Sequence, residues 1–378
     1  MKFVIAPDKY KGSLSGLEFC NAVEEGILKV FPEASIIKKL LADGGDGTLE
    51  VVQHYLLADT IKVLVNDPLF RKIKVGYLLS KDKKTAFIEL SEASGYKLLN
   101  KSELNCMHTT TLGTGELIAD ALNKGAQEII LGIGGSATSD AGMGIAVALG
   151  YKFLDNEGNE LQPAGKNLGK VAKVNRSLVH KKLAQVKVKV ACDVGNPFYG
   201  KDGAAYIYGP QKGASLDEVE LLDWGLENFA RILERDFNSN VQEIPGSGAA
   251  GGVGGGAVAF LNADLTSGIN LIKELADFDK TITNADWIVT GEGKLDNQTI
   301  SGKTIAGVLE SASKQNIPVA ALCGAVALSP EQQENIGLQY VSSILSNVSS
   351  LEDALSNSYQ NLVSASYNFA RLIQAKDK

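Results

Sequence analysis

The stretch Leu131–Gly144 reads LGIGGSATSDAGMG, and the apolar run Ile129-Ile130-Leu131 leads into it. Paired glycines come next, then the hydroxyls of Ser136, Thr138 and Ser139 with Asp140, then small residues at helical spacing. That order spells a strand, a tight loop and a helix N-terminus. Such a loop offers backbone N–H groups and the positive end of a helix dipole to an anion. Glycine lets the backbone approach a ligand closely. The constraint is strong because four other segments follow the same grammar, and several of them carry an Asp and a Lys.

The rest of the chain alternates accordingly. Lys2–Ala6 reads as a strand, and Ser15–Val30 as a helix with Leu17, Phe19, Cys20, Val23 and Ile27 on one face and Ser13 or Ser15 as its cap. Ile36–Leu41 is a second strand and Thr48–Leu57 a second helix. This rhythm predicts a parallel sheet covered by helices. Between Ile61 and Leu90 the pattern changes: Ile61–Val65, Ile73–Leu79 and Thr85–Glu89 are strands joined by short turns, so pairing there is antiparallel or mixed. Helical spacing returns at Gly113–Lys124, Ala137–Leu149 and Ser215–Phe237, and Lys152–Lys173 reads as surface loop. From Asp286 the first rhythm resumes, ending in a helix over Leu351–Ala375. The fold class is therefore α/β with two domains. One is a Rossmann-like parallel sheet built from both chain ends, residues 1–60 and 284–378. The other, residues 61–283, is an inserted domain with a mixed sheet, and the active site is expected in the cleft between them.

Four loops join the opening one as carriers of chemistry. APDKYKGSLS (Ala6–Ser15) follows the first strand, where open α/β sheets bind ligands, and its Lys9 or Lys11 would neutralise an anion. LADGGDGT (Leu41–Thr48) sets Asp43 and Asp46 around a glycine pair, a pattern that holds Mg²⁺ or takes a proton from a hydroxyl. Asp193 sits just past the strand Val186–Ala191, with Gln211 and Lys212 further on as a polar donor and a cation. IVTGEGKLDNQT (Ile288–Thr299) brings Lys294 and Asp296 after a strand. Taken singly, each also reads as a solvated or capped turn. Together they describe a polar site for a small anion, with the parts that phosphoryl transfer needs. The opening loop is neither a Walker A sequence nor GxGxxG. GSGAAGGVGGG (Gly246–Gly256) permits close helix packing or close nucleotide approach.

Net charge narrows the class. At −7 the 378-residue chain lacks the basic surface that nonspecific nucleic-acid binding needs. No apolar run approaches the ~18 residues of a membrane span, and Phe3-Val4-Ile5-Ala6 is too short for a signal peptide's apolar region. Four scattered cysteines point to a reducing, cytoplasmic setting, and three isolated histidines give no zinc site.

These motifs, with the run TTTLGTGELI at Thr109–Ile118 and the segments ACDVGNP, GPQKGA and GSGAAGG, resemble the type-I glycerate kinase family of bacteria from Met1 to about Ala375. The resemblance implies phosphorylation of D-glycerate with ATP and Mg²⁺, to 2-phosphoglycerate rather than 3-phosphoglycerate. A kinase for a related short hydroxy acid, or a non-catalytic binder of such acids on the same scaffold, are the alternatives. It implies a small-molecule substrate with neither nucleic acid nor membrane as partner, and a homodimer is compatible with it. By position, Lys11, Asp43, Ser136, Thr138, Asp140, Asp193, Lys294 and Asp296 line the cleft. Lys11 or Arg71 would pair with the substrate carboxylate, with Ser136 and Thr138 beside it. Gly134, Gly135, Gly291 and Gly293 would meet the nucleotide. Asp193 is the expected acid for the attacking hydroxyl, with Asp43 and Asp140 as rivals. Lys294 would stabilise the transferring phosphoryl, and Asp296 or Asp46 would carry Mg²⁺. The chain departs from the family pattern at Lys9, Asp46, Ser139 and Lys294, and at Leu104-Asn105-Cys106, where the family often has Arg-Asn-Pro.

Overall fold

The computed structural model describes all residues except 9, 11, 44–47, 297–302, 349 and 377–378. The expected roles of Lys11 and Asp46 fall outside the described residues. Two compact units emerge, Met1–Tyr55 with Gly268–Lys378, and Leu56–Ser267. The helices Gly268–Leu275 and Phe278–Thr281 belong to the first unit, although sequence rhythm grouped them with the inserted region.

The chain enters through β1 (Lys2–Ile5) and β2 (Ser35–Lys38). Ser15 caps the intervening helix Gly16–Leu28 in a reciprocal capping box with Glu18. The second unit follows. It contains β3 (Asp59–Asn66), β4 (Lys72–Leu79), β5 (Thr85–Glu89), β6 (Glu128–Gly132), β7 (Lys152–Leu154), β8 (Lys173–Asn175), β9 (Lys187–Ala191) and β10 (Asp264–Thr266). Returning to the first unit, the chain forms β11 (Trp287–Thr290), β12 (Lys294–Leu295), β13 (Val319–Cys323), β14 (Ala325–Val326) and β15 (Tyr340–Ser343).

The first unit's main sheet has the order β15-β13-β11-β1-β2, and all its pairings are parallel. Phe3, Ile5, Phe19, Val23, Ile27, Leu362 and Phe369 are buried in one core between this sheet and the helices Gly16–Leu28 and Ser358–Lys376. The last helical stretch is broken at Asn357 into Leu351–Ser356 and Ser358–Lys376, where one continuous helix was expected.

The second unit's sheet runs β10-β9-β6-β5-β4-β3. Its four strands β10, β9, β6 and β5 are parallel, while β4 and β3 form the expected antiparallel edge. Alternation assigns the faces. Ala86 and Ile88, Ile129 and Leu131, Val188 and Val190 point into one core with helices Leu112–Lys124, Leu216–Phe237 and Ala249–Leu261. At the carboxyl end the register sets Glu89 beside Gly132, Gly132 beside Ala191 and Ala191 beside Thr266. That row is where an open α/β sheet presents its ligand loops.

Two local expectations change. The segment 137–149 is helical only over Met143–Ala148. Residues before it form a loop in which Ala141 and Gly142 adopt left-handed backbone, at φ 53° and 72°. Lys152–Lys173 is not a bare surface loop, because β7 pairs with β8 and Phe153 and Leu168 are buried.

Candidate active site

The loop after β6 is held open by contacts distant in sequence. Ala137 N–H donates to the Ser94 carbonyl at 2.9 Å, and Tyr96 N–H to the Gly135 carbonyl at 3.1 Å. On its other side the loop meets the start of the Ala249–Leu261 helix, where Ala250, Gly251 and Gly252 are all left-handed. Ala141 N–H donates to Gly251 O at 3.1 Å. A Cβ on Gly251 would strike the Thr138 carbonyl and Ser139. The glycine-rich GSGAAGG segment is therefore a close-packing surface beneath the loop.

Asp140 is the central fastener. Its carboxylate accepts from Thr111 N–H at 2.8 Å, Thr111 Oγ1 at 2.9 Å, Gly144 N–H at 3.1 Å and Gly142 N–H at 3.2 Å. The group is fully buried, and burial pushes its pKa upward against these hydrogen bonds. Asp140 was a rival for the catalytic acid; its oxygens are instead spent on the loop and the helix start. The Thr109–Thr111 run is explained in the same way. All three threonines are buried, and Thr109 Oγ1 donates to Ala137 O at 2.9 Å.

Beneath the loop lies Lys212, only 4% exposed. Its Nζ donates to Thr138 O at 2.6 Å and to Ser136 Oγ at 3.2 Å. Burial pulls its pKa down to about 8, with Cys106 and Asp140 acting upward through space. No carboxylate lies within ion-pair reach of it among the described residues. Ser136 Oγ is a hub that also contacts Thr138 Oγ1 at 3.2 Å and donates to Ala250 O at 3.3 Å. Thr138, expected beside the substrate, is fully buried, and its hydroxyl lies 3.2 Å from Ser136 Oγ. Gly134 and Gly135 are exposed, and nothing lies within 4 Å of where a Gly134 Cβ would stand. The result is a hydroxyl-and-backbone cradle over a buried cation.

The remaining expected residues fall in several environments. Asp193 is half-buried just past β9 and is engaged within the protein. Arg71, in the β3–β4 turn, is not a free cation: Nε pairs with Asp67 Oδ2 at 2.5 Å and Nη1 with Glu103 Oε1 at 2.6 Å. In the first unit Asp43 is half-buried and engaged. Lys294 is exposed and pairs with Asp296 at 3.1 Å. Gly291 is buried, and a Cβ there would strike the Leu322 carbonyl and the Phe19 ring, so its lack of a side chain serves packing. Gly293 O accepts from Ala325 N–H at 3.0 Å.

Sequence reasoning passed over Glu89. It ends β5 at the same carboxyl edge, and burial pushes its carboxyl up to about 7, with Glu92 adding to the effect. A terminal strand residue before a short turn carries no local signal of such a position. Only the strand register places it beside Gly132.

A glycine loop over a buried lysine that has no carboxylate in ion-pair reach among the described residues, at the carboxyl ends of parallel strands, is an arrangement suited to a small anionic ligand. The Glycerate kinase family model matches residues 3–374. The glycerate kinase of Halalkalibacterium halodurans is 40% identical over 367 residues, covering 97% of each chain. The glycerate 2-kinase of Escherichia coli K12 is 40% identical over 370 residues, covering 98% of this chain and 97% of the other. A solved structure from Salmonella typhimurium LT2, assigned as glycerate kinase 2, is 40% identical with a TM-score of 0.87 over 100% of this chain and 99% of that one. The chain belongs to the glycerate kinase family and is a kinase.

Proposed function

We propose that this kinase transfers the γ-phosphoryl group of ATP to a hydroxyl of D-glycerate, giving 2-phosphoglycerate. The observation that carries the reading is Lys212. A cation removed from water is costly unless an anion or a full set of acceptors offsets it. Among the described residues Lys212 has two neutral acceptors and no carboxylate partner, and it lies under the glycine loop. A phosphate group resting on Gly134, Gly135 and Ser136 would supply the missing negative charge. The name of the Escherichia coli relative, glycerate 2-kinase, supports the 2-position.

Mg²⁺ fits the donor chemistry. Among the described residues there is no group of three or more side chains that could cage a metal. An ion carried mainly on nucleotide phosphates needs only one or two protein carboxylates. Asp296 would be one of these; when bound, the ion offsets the charge spread over the transferring phosphoryl. Asp193 orients the attacking hydroxyl. Of the two cations expected for the substrate carboxylate, Lys11 and Arg71, Arg71 already pairs with Asp67 and Glu103, which favours Lys11. No helix among the described residues is long and apolar enough to cross a membrane, and the four cysteines are free thiols, in keeping with a cytoplasmic enzyme. The test is ADP release with ATP and Mg²⁺ across D-glycerate, L-glycerate, glycolate and lactate. D-glycerate is expected to give the highest kcat/KM; a higher value for another acid reassigns the substrate.

A further inference from the structure

We propose that Glu89 is the proton acceptor for the substrate hydroxyl, a role that rests on the reading of this site as a glycerate kinase centre. The argument is one of position and availability. Glu89 closes β5 in register with Gly132, the last residue of β6 before the anion loop. A Cβ on Gly132 would lie 2.7 Å from Glu89 Oε2, so the carboxyl lies across the glycine from which the loop departs. The other acids have occupied oxygens or partners: Asp140 accepts from the Thr111 hydroxyl and from the N–H groups of Thr111, Gly142 and Gly144, and Asp193, Asp43 and Asp296 are engaged. The Glu89 carboxyl has no hydrogen bond or ion pair among the described residues, although it is partly buried. A partly buried carboxyl with no such partner, closing a strand beside the residue from which the anion loop departs, is placed to take a substrate hydroxyl as its partner.

Its surroundings suit the task. On the same face, β6 presents Ile130 and Gly132 and β4 presents Leu78, none of them titratable. Glu92, on the short helix Ser91–Ser94, is the charged group that acts on it. Desolvation first and Glu92 second hold the carboxyl near 7, close to the pH at which a general base works best. In the reaction the hydroxyl proton passes to the Glu89 carboxylate as the hydroxyl oxygen bonds to the γ-phosphorus of ATP. The bond from that phosphorus to the β,γ-bridging oxygen breaks, its electron pair leaves with ADP, and Glu89 later releases the proton to water.

The test compares wild type, Glu89→Gln and Glu92→Gln. Wild-type turnover of D-glycerate tests the functional reading; the variants test Glu89. Glu89→Gln is expected to lower kcat by ~10²–10⁴-fold with both KM values within about threefold, and to abolish the acidic limb of kcat/KM. Glu92→Gln should move that limb to lower pH, which a merely structural role for Glu89 does not predict. A kcat for Glu89→Gln within about threefold of wild type overturns the proposal. Carboxyl ¹³C NMR decides independently of substrate choice. A resonance titrating near 7 that vanishes in Glu89→Gln supports the assignment, and titration of Glu89 in the ordinary glutamate range overturns it.

Discussion

Replacing Lys212 by Met should separate folding from activity. The drop of the Lys212 pKa from 10.5 to about 8 means that its charge opposes folding by about 3 kcal/mol at neutral pH. Met removes that burden but also removes the donors to Thr138 O and Ser136 Oγ, together worth about 2–4 kcal/mol. The two effects nearly offset, so stability should stay within about 2 kcal/mol of wild type and Tm within about 8 °C. Activity has no such compensation. Loss of one preorganised donor to a transferring phosphoryl costs about 3–4 kcal/mol, or ~10²–10³-fold in kcat/KM. The pH behaviour follows from the sign of the shift. Below about 8 the lysine is charged in both states. From there to 10.5 the folded protein releases the proton while the unfolded chain keeps it, so this group makes stability rise with pH across that window. Activity falls over the same interval in wild type, and that alkaline limb is absent in the variant. Calorimetry and a coupled ADP assay read both. A kcat/KM within about threefold of wild type at unchanged Tm refutes the idea that Lys212 serves an anion.

Three other outcomes follow from the same geometry. Asp140→Asn sets an NH₂ against backbone donors that now meet a carboxylate, and should lower the free energy of unfolding by about 2–5 kcal/mol in urea titration; a wild-type midpoint contradicts its fastening role. Gly134→Ala should fold like wild type, since its Cβ meets nothing, yet raise KM for ATP; Gly251→Ala should lower Tm and activity together, because it collides with Thr138 O, and equal behaviour of the two would remove the distinction between ligand space and packing space. Lys294→Ala should leave Tm unchanged, as exposed ion pairs contribute about 0–1 kcal/mol, while kcat falls if Lys294 acts on the phosphoryl; an unchanged kcat assigns it to the surface.

Much of the scaffold was legible because strands with one buried face and helices at 3.6 spacing write themselves into local sequence. The β6 run, the β3–β4 edge and the Ser15 cap are of this kind. The loop over residues 137–142 was not, because small residues look helical, and the contacts that accompany the left-handed backbone of Ala141 and Gly142, from Asp140 to Thr111 and from Ala141 to Gly251, reach residues distant in sequence. The glycine loop announced an anion site, but its cation did not announce itself: Lys212 sits far along the chain, and its burial depends on tertiary packing. Glu89 looked like the polar end of an ordinary strand. Arg71 looked like an available cation, although its partner Asp67 stands only four residues away. Composition lists such charges without saying which of them are already paired.

The measurement that tests the account most directly is ³¹P NMR of the product formed by the purified full-length protein with ATP, Mg²⁺ and D-glycerate. The account predicts one equivalent of ADP for each 2-phosphoglycerate formed, and no ADP when D-glycerate is left out. Folded protein that yields no phosphoglycerate, or that releases ADP at the same rate without D-glycerate, contradicts it.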